Sequence, residues 1–317
     1  MSGLNLMWAL LLVATFSWTV ANALVCAVAP LLKTVTGQSV RRHLWLVALL
    51  PWLLPTGAVI GLLMLALAKS QDWIHHHCET HLAHHPHFCL EHLPQMALSF
   101  LSSAVGLVII AGVVALVATR ILTLMRIDKA SRGFRRMVSK SAARVTVADP
   151  RPLAFTLGVI KPVIVITDGL RKALNPRQLR MVVKHEVAHA RHNDVLKNTL
   201  FELLLCAHFF PSLLRAPWCL SSELRADRDV VAQFDRLDLA DVLLTLRRAG
   251  ATPPAPNSAF PVSIAGGQLL VRVNALLDGR SKPAPKVVHV VYFAALGFPV
   301  LLLLNHHGLE IVWGWFL

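Results

Sequence analysis

Residues 185 to 189 read His-Glu-Val-Ala-His, and a second polar constellation, Glu223 with Asp227, follows about one helical hairpin later. On a helix of about 3.6 residues per turn, positions four apart share a face, so His185 and His189 can present two imidazole nitrogens to one metal ion. Glu186 sits one residue along. It is near enough to an open coordination position to take a proton from water there, and too poorly aimed to be a ligand itself. The chemistry these residue types support is zinc-assisted hydrolysis.

That chemistry needs a helix, and the residues ahead of the motif supply its start. Asn175 is an N-cap, Pro176 suits the first helical position, and Gln178 can reach back to close a capping box. Leu179, Val182, Val183, Val187 and Ala190 are then expected to form its buried face.

The chain around this helix is too apolar for an ordinary soluble protein. Hydrophobic residues make up 55% of its 317 residues and charged ones 15%, with a mean hydropathy of +0.58. Residues 4 to 32, 44 to 68 and 97 to 119 carry no charge, and 287 to 305 form a fourth long apolar run. Each is long enough to cross a bilayer core. We expect an α-helical membrane protein with four transmembrane helices, the first three at about 5–32, 44–68 and 97–120 and the last within 287–317. The alternative for the first is a cleaved signal peptide, since Ala21-Asn22-Ala23 resembles a cleavage site; no basic segment precedes it, and the apolar run continues beyond.

Basic residues orient the bundle. Lys33, Arg41 and Arg42 lie between the first two spans, and Arg120, Arg126, Lys129, Arg132, Arg135, Arg136 and Lys140 follow the third, whereas the 70–96 loop has only Lys69 at its edge. The positive-inside rule puts both basic regions in the cytoplasm, and with them a domain of residues 126–286 that holds the HEVAH helix; both termini and the 70–96 loop face outside. Part of the net charge of +14 can hold this domain against anionic headgroups of the lipid bilayer. Direct nucleic-acid binding, the other reading of so basic a chain, has no recognition motif behind it.

Residues 199–214 are apolar enough to resemble another span, but a crossing there would put Glu223 on the far side of the membrane from His185. They are expected instead to form a buried or membrane-grazing helix packed beside the HEVAH helix. The cytoplasmic domain reads as α+β. Small antiparallel strands are expected at 145–148, 154–160 and 163–167, and helices at 168–174, 176–192, 221–234, 238–249 and 266–278. An edge strand beside the metal helix could bind an extended peptide through its backbone.

HEVAHARHND, the apolar helix after it, and Glu223-Leu-Arg-Ala-Asp227, framed by three spans before and one after, resemble the M56 family of membrane metallopeptidases, of BlaR1 and MecR1 type. The likeness extends more distantly to the HtpX and Ste24 proteases. It implies a gluzincin-like domain in which His185, His189 and Glu223 bind one Zn2+ ion, Glu186 is the general base, and Asp227 accepts the free N–H of a ligating histidine. It also implies a protein substrate, a BlaI-like transcriptional repressor in a signalling circuit. The chain is expected to lack the penicillin-binding sensor domain that BlaR1 and MecR1 carry after the fourth span. Of the His and Arg with which Ste24-type relatives could steady an oxyanion, only Arg272 has a match, and it could equally pair with an acidic side chain. Asp194 is expected to orient a helix end rather than contact metal.

The outer loop carries His75, His76, His77, His81, His84, His85, His87 and His92 with Cys78 and Cys89. Such a density suits capture of Cu, Zn or Ni; a Cys78–Cys89 disulfide among solvated histidines is the plainer alternative, and the two are compatible. Cys26, Cys206 and Cys219 lack ligand spacing and are expected to be packed thiols. Alanine and glycine in the spans allow a homodimer. Other functions in view are a quality-control protease for membrane proteins and a non-catalytic metal-sensing receptor or scaffold. Glu186 separates enzyme from scaffold, because a vestigial site is free to lose its base.

Overall fold

A computed structural model of the chain describes residues 2–32, 40–71, 144–159, 161–250 and 268–278, with isolated positions at 73, between 108 and 132, and at 293 and 297. The first two apolar runs are the helices α1 (Ser2–Leu32) and α2 (Val40–Ser70), both a few residues longer than expected. Their segments Leu10–Leu32 and Val40–Ser70 are long and apolar enough to cross a membrane. They pack together through Ala21, Val25, Val28 and Ala29 of α1 against Leu44, Val47 and Ala48 of α2. Every described position between 108 and 132 is helical, from Val108 in the expected third span to Arg132, beyond its expected end at 120. Phe293 and Gly297 in the expected fourth span are helical as well. The rest of both spans lies outside the described residues, as do His75, His76, His77, His81, His84, His85, His87, His92, Cys78 and Cys89.

The three strands, β1 (Arg144–Val147), β2 (Ala154–Leu157) and β3 (Val163–Thr167), form one sheet in the order β1-β3-β2. Only the β2–β3 pair is antiparallel; β1 runs parallel to β3, which corrects the expected all-antiparallel arrangement. The reason lies in residues 148–153. With Pro150 and Pro152 they do not close a hairpin but pass over the start of the next helix, α3 (Asp168–Ala173), where Gly169 N donates to Asp149 O at 2.9 Å. A Cβ on Gly169 would lie 2.0 Å from Pro150 O, so only glycine fits the crossing. β3, buried at all five residues, is the centre of the sheet, and β2 is an edge strand.

The next helix, α4 (Pro176–Arg191), begins with the expected capping box between Asn175 and Gln178, with proline at its first turn. Its buried stripe differs from expectation. Met181, Val182, His185, Glu186, Ala188 and His189 face inward while Val187 is 39% exposed, because the polar motif itself fills the space against β2 and the helix that carries Glu223. A turn with Asn193 in the left-handed region (φ 53°), which asparagine tolerates, leads to α5 (Asp194–Leu204). After it come α6 (Ser212–Val231), α7 (Arg236–Arg248) and α8 (Leu269–Asp278). One apolar core joins the sheet to α4, α7 and α8 through Ile164, Leu170, Val182, Leu239, Leu243 and Leu276.

Residues 199–214 are not one helix. α5 stops at Leu204, a 3-10 turn covers Leu205–Ala207, and α6 begins at Ser212. This hairpin packs against α1 and α2 more than against α4, with Phe201, Leu205, Leu214 and Trp218 in the same core as the two long helices. The chain can break here because side chains of α1 and α2 bond its backbone. Trp18 Nε1 and Asn22 Nδ2 donate to Ala207 O at 2.7 and 3.1 Å, Trp52 Nε1 donates to Leu204 O at 2.9 Å, and Phe209 N donates to Asn22 Oδ1 at 2.9 Å. Glu202 pairs with Arg215 at 2.6 Å across the hairpin, and His208 Nε2 lies 3.0 Å from Ala48 O. Cys26 and Cys206 are half-buried thiols, whereas Cys219 is exposed rather than packed.

Candidate metal centre

His185, Glu186 and His189 come from the middle and last turns of α4, and Glu223 and Asp227 from one face of α6, which packs along it. The donor atoms of His185, His189 and Glu223 all lie within 4.8 Å of one another and are buried. His185 Nε2 and His189 Nε2 are 3.0 Å apart, and the Glu223 oxygens lie 3.4 Å from His185 Nε2 and 3.6 Å from His189 Nε2. A tetrahedral ion with bonds of about 2.0–2.1 Å has ligand–ligand edges of about 3.3 Å, so the spacing fits a single zinc-sized ion.

The tautomers point the same way. His189 Nδ1 lies 2.8 Å from Asp194 Oδ2, and His185 Nδ1 lies 3.1 Å from Asp227 Oδ1, with its N–H less well aimed. Both carboxylates favour Nδ1–H, which leaves two Nε2 lone pairs facing each other beside a carboxylate. Such a cluster is repulsive unless a proton or a metal cation sits among the three, and the donor set therefore fits a metal. Burial works against charge on His185, yet bonding to Asp227 and Glu223 outweighs it and raises the metal-free imidazole to about 9. Asp194, opposed by burial but bonded to His189 and Arg225, is held at about 2. Burial likewise opposes ionisation of Glu223, and Arg272 with His185 outweighs it.

Arg272 of α8 is wholly buried, with all three side-chain nitrogens against carboxylates: Nε and Nη2 on Asp227 at 2.8 and 2.6 Å, Nη1 near Glu223 Oε2 at 2.7 Å. The acidic pairing is thus the arrangement found. Glu186 points one carboxylate oxygen, Oε2, to the Thr156 hydroxyl of β2 at 2.8 Å; Oε1 is buried with no hydrogen-bond partner among the described residues. Burial pushes this carboxyl above its ordinary range, while the histidines and Thr156 pull the other way. Sequence reasoning missed Thr156 entirely and undervalued Asp194, which does more than orient a helix end. The available sign for Asp194 was a carboxylate five residues past His189 at the start of the next helix; for Thr156 no local sign exists, since it meets Glu186 only when β2 packs on α4.

A helix bearing His-Glu-x-x-His, an acidic donor from a neighbouring helix, and a small sheet with an edge strand alongside define the class of HExxH metallopeptidase folds. The chain belongs to the BlaR1 peptidase M56 family, whose model matches residues 9–276. It is also similar to protease HtpX homologs. That of Methanocaldococcus jannaschii is 30% identical over 79 residues, covering 22% of this chain and 28% of that protein. Those of Burkholderia cenocepacia and Burkholderia mallei are each 34% identical over 77 residues, covering 21% of this chain and 27% of theirs. The chain therefore spans only 27–28% of the length of these relatives.

Proposed function

We propose that the chain is an integral-membrane zinc endopeptidase that hydrolyses a cytoplasmic or membrane-proximal protein, and that its substrate is a transcriptional repressor of the BlaI type. The observation that carries the reading is the convergence of His185, His189 and Glu223 beside a Glu186 oxygen that has no hydrogen-bond partner among the described residues. Zinc held by those three side chains would supply Lewis acidity, lowering the pKa of water toward neutrality and polarising a carbonyl.

The remaining chemistry belongs to the chain. Glu186, its Oε2 anchored by Thr156, receives on Oε1 the proton of the attacking water and returns it to the leaving amine. Its raised pKa suits both directions of transfer. Asp227 and Asp194 hold the two imidazoles in the tautomer that offers Nε2. We assign Arg272 to positioning Glu223 and Asp227 rather than to the oxyanion, because its nitrogens are already engaged by those carboxylates. The edge of β2, beside α4, is the place for an extended substrate strand.

Orientation with the domain in the cytoplasm agrees with Arg41. It belongs to the basic 33–42 stretch, sits in the first turn of α2 and reaches Ser222, one residue from Glu223, at 2.7 Å. The test compares cytoplasmic proteins in cells carrying the native chain or Glu186→Gln. Loss of one cleavage, with zinc retained, is expected; an unchanged cleavage pattern with zinc retained would overturn the enzymatic reading.

A further inference from the structure

Asp194 is where the metal centre meets the second membrane helix. One of its oxygens takes His189 Nδ1 at 2.8 Å; the other faces the guanidinium of Arg225 on α6 and, at 3.6 Å, Nη2 of Arg41 on α2. The Asp194 carboxylate is wholly buried, and Arg41 Nη2 is buried with no hydrogen-bond partner among the described residues. A buried carboxylate keeps its charge and its place only while opposite charge surrounds it. Arg41 is one of the cations that do so, and it comes from a different element from Arg225.

Arg41 is itself fixed on two further sides. Its Nη1 donates to Ser222 at 2.7 Å, and its guanidinium lies 4.0 Å over the ring of Trp218. Trp218 stacks on Phe201 at 4.3 Å, and Trp45 of α2 meets both rings edge-on at 5.5 and 5.6 Å. The head of α2 is thus keyed into the hairpin of α5 and α6. A shift of α2 along its axis carries Arg41 with it, removes charge from around Asp194, and loosens the group that aims His189.

We propose that Arg41 is a positioning residue for the metal ligand His189, acting through Asp194, so that the second membrane helix sets the geometry of the metal site. This rests on the reading of the site as a zinc centre. The chain supplies the coupling from its own residues, whatever the stimulus that moves α2.

The experiment uses the full chain in lipid nanodiscs with Co2+ alone as the probe, recording both affinity and the visible ligand-field spectrum. Arg41→Gln should weaken Co2+ binding about tenfold and alter the spectrum, Arg41→Lys should restore part of both, and Asp194→Asn should weaken binding by about 10–100-fold. In the Asp194→Asn background Arg41→Gln should add nothing. The proposal is overturned if Arg41→Gln binds Co2+ with native affinity and spectrum, or if its loss adds in full to that of Asp194→Asn. Should Arg41→Gln not fold, Arg41→Met, which also removes the charge, decides by the same two criteria. A native chain that binds no Co2+ would remove the zinc reading itself, a failure distinct from native-like metal binding in the Arg41 variants.

Discussion

His185 Nε2 and His189 Nε2 face each other across 3.0 Å, each ring turned so that its other nitrogen meets a buried carboxylate. With Glu223 beside them, the pair forms a cluster of three donor atoms within 4.8 Å of one another, the spacing that one bound cation would hold. Asp227, Asp194 and Glu223 bring three carboxylates into a space with little water, and Arg272, Arg225 and Arg41 stand behind them. None of these arginines stands between the two imidazoles.

Zinc uptake by the metal-free protein should therefore release protons. His185 is raised from 6.5 to about 9, so its protonated form contributes stability to the metal-free chain that is fully present below pH 6.5 and lost as pH rises through about 9. Zinc must displace that proton, and at pH 7 uptake should release about one proton from His185 per ion. Apparent zinc affinity should rise about tenfold per pH unit until about pH 9. Calorimetric titration in buffers of different ionisation enthalpy measures both; affinity independent of pH between 6.5 and 8.5 would sink the idea.

Arg272→Met should harm the metal-free protein more than the zinc-loaded one. Removing one partner of a buried ion pair costs about 3–5 kcal/mol, because the opposite charges remain buried. Bound zinc compensates Glu223 directly, so part of that cost should vanish on loading. Thermal unfolding with and without a chelator gives the comparison, and equal losses in the two states would contradict the assignment of Arg272 to Glu223 and Asp227.

Much of this centre was legible before any coordinates. The HEVAH spacing and the Asn175–Gln178 box are local, so α4 and its two histidines followed from neighbours in the chain. Glu223 and Asp227, four apart on α6, fall on one face by the same logic. What stayed hidden depends on partners far away in sequence. Hydropathy gives no hint that 199–214 breaks at Leu204, because the break rests on Trp18, Asn22 and Trp52, more than 150 residues upstream. The parallel pairing of β1 likewise depends on where the 148–153 segment crosses Gly169, and Thr156 and Arg41 join the site only through packing of whole elements.

Thr156→Val should slow turnover without weakening metal binding. Valine keeps the volume but loses the hydroxyl that anchors Glu186 Oε2 at 2.8 Å. A hydrogen bond to a charged group is worth about 1.5–3 kcal/mol, which corresponds to about 10–100-fold in kcat if Glu186 needs it in the transition state. Thr156→Ser should recover most of the rate. A Thr156→Val protein with native kcat on a peptide substrate, or one with reduced zinc affinity, would show that the hydroxyl does something else.

Trp52→Phe should destabilise the protein while leaving the metal centre intact. Trp52 lies in the middle of α2, within a segment able to cross the membrane, and its indole N–H caps Leu204 O at the end of α5. In lipid no water can replace that donor, and phenylalanine fills the aromatic space without supplying one. The expected cost is about 1–3 kcal/mol, the penalty for an orphaned buried acceptor. Asn22→Leu should cost more, since Asn22 both donates to Ala207 O and accepts from Phe209 N. Unfolding in detergent micelles, followed beside zinc content, separates the two effects. Native stability in both variants would mean that the hairpin does not depend on α1 and α2 for its backbone bonds, and the account of why residues 199–214 break where they do would fall.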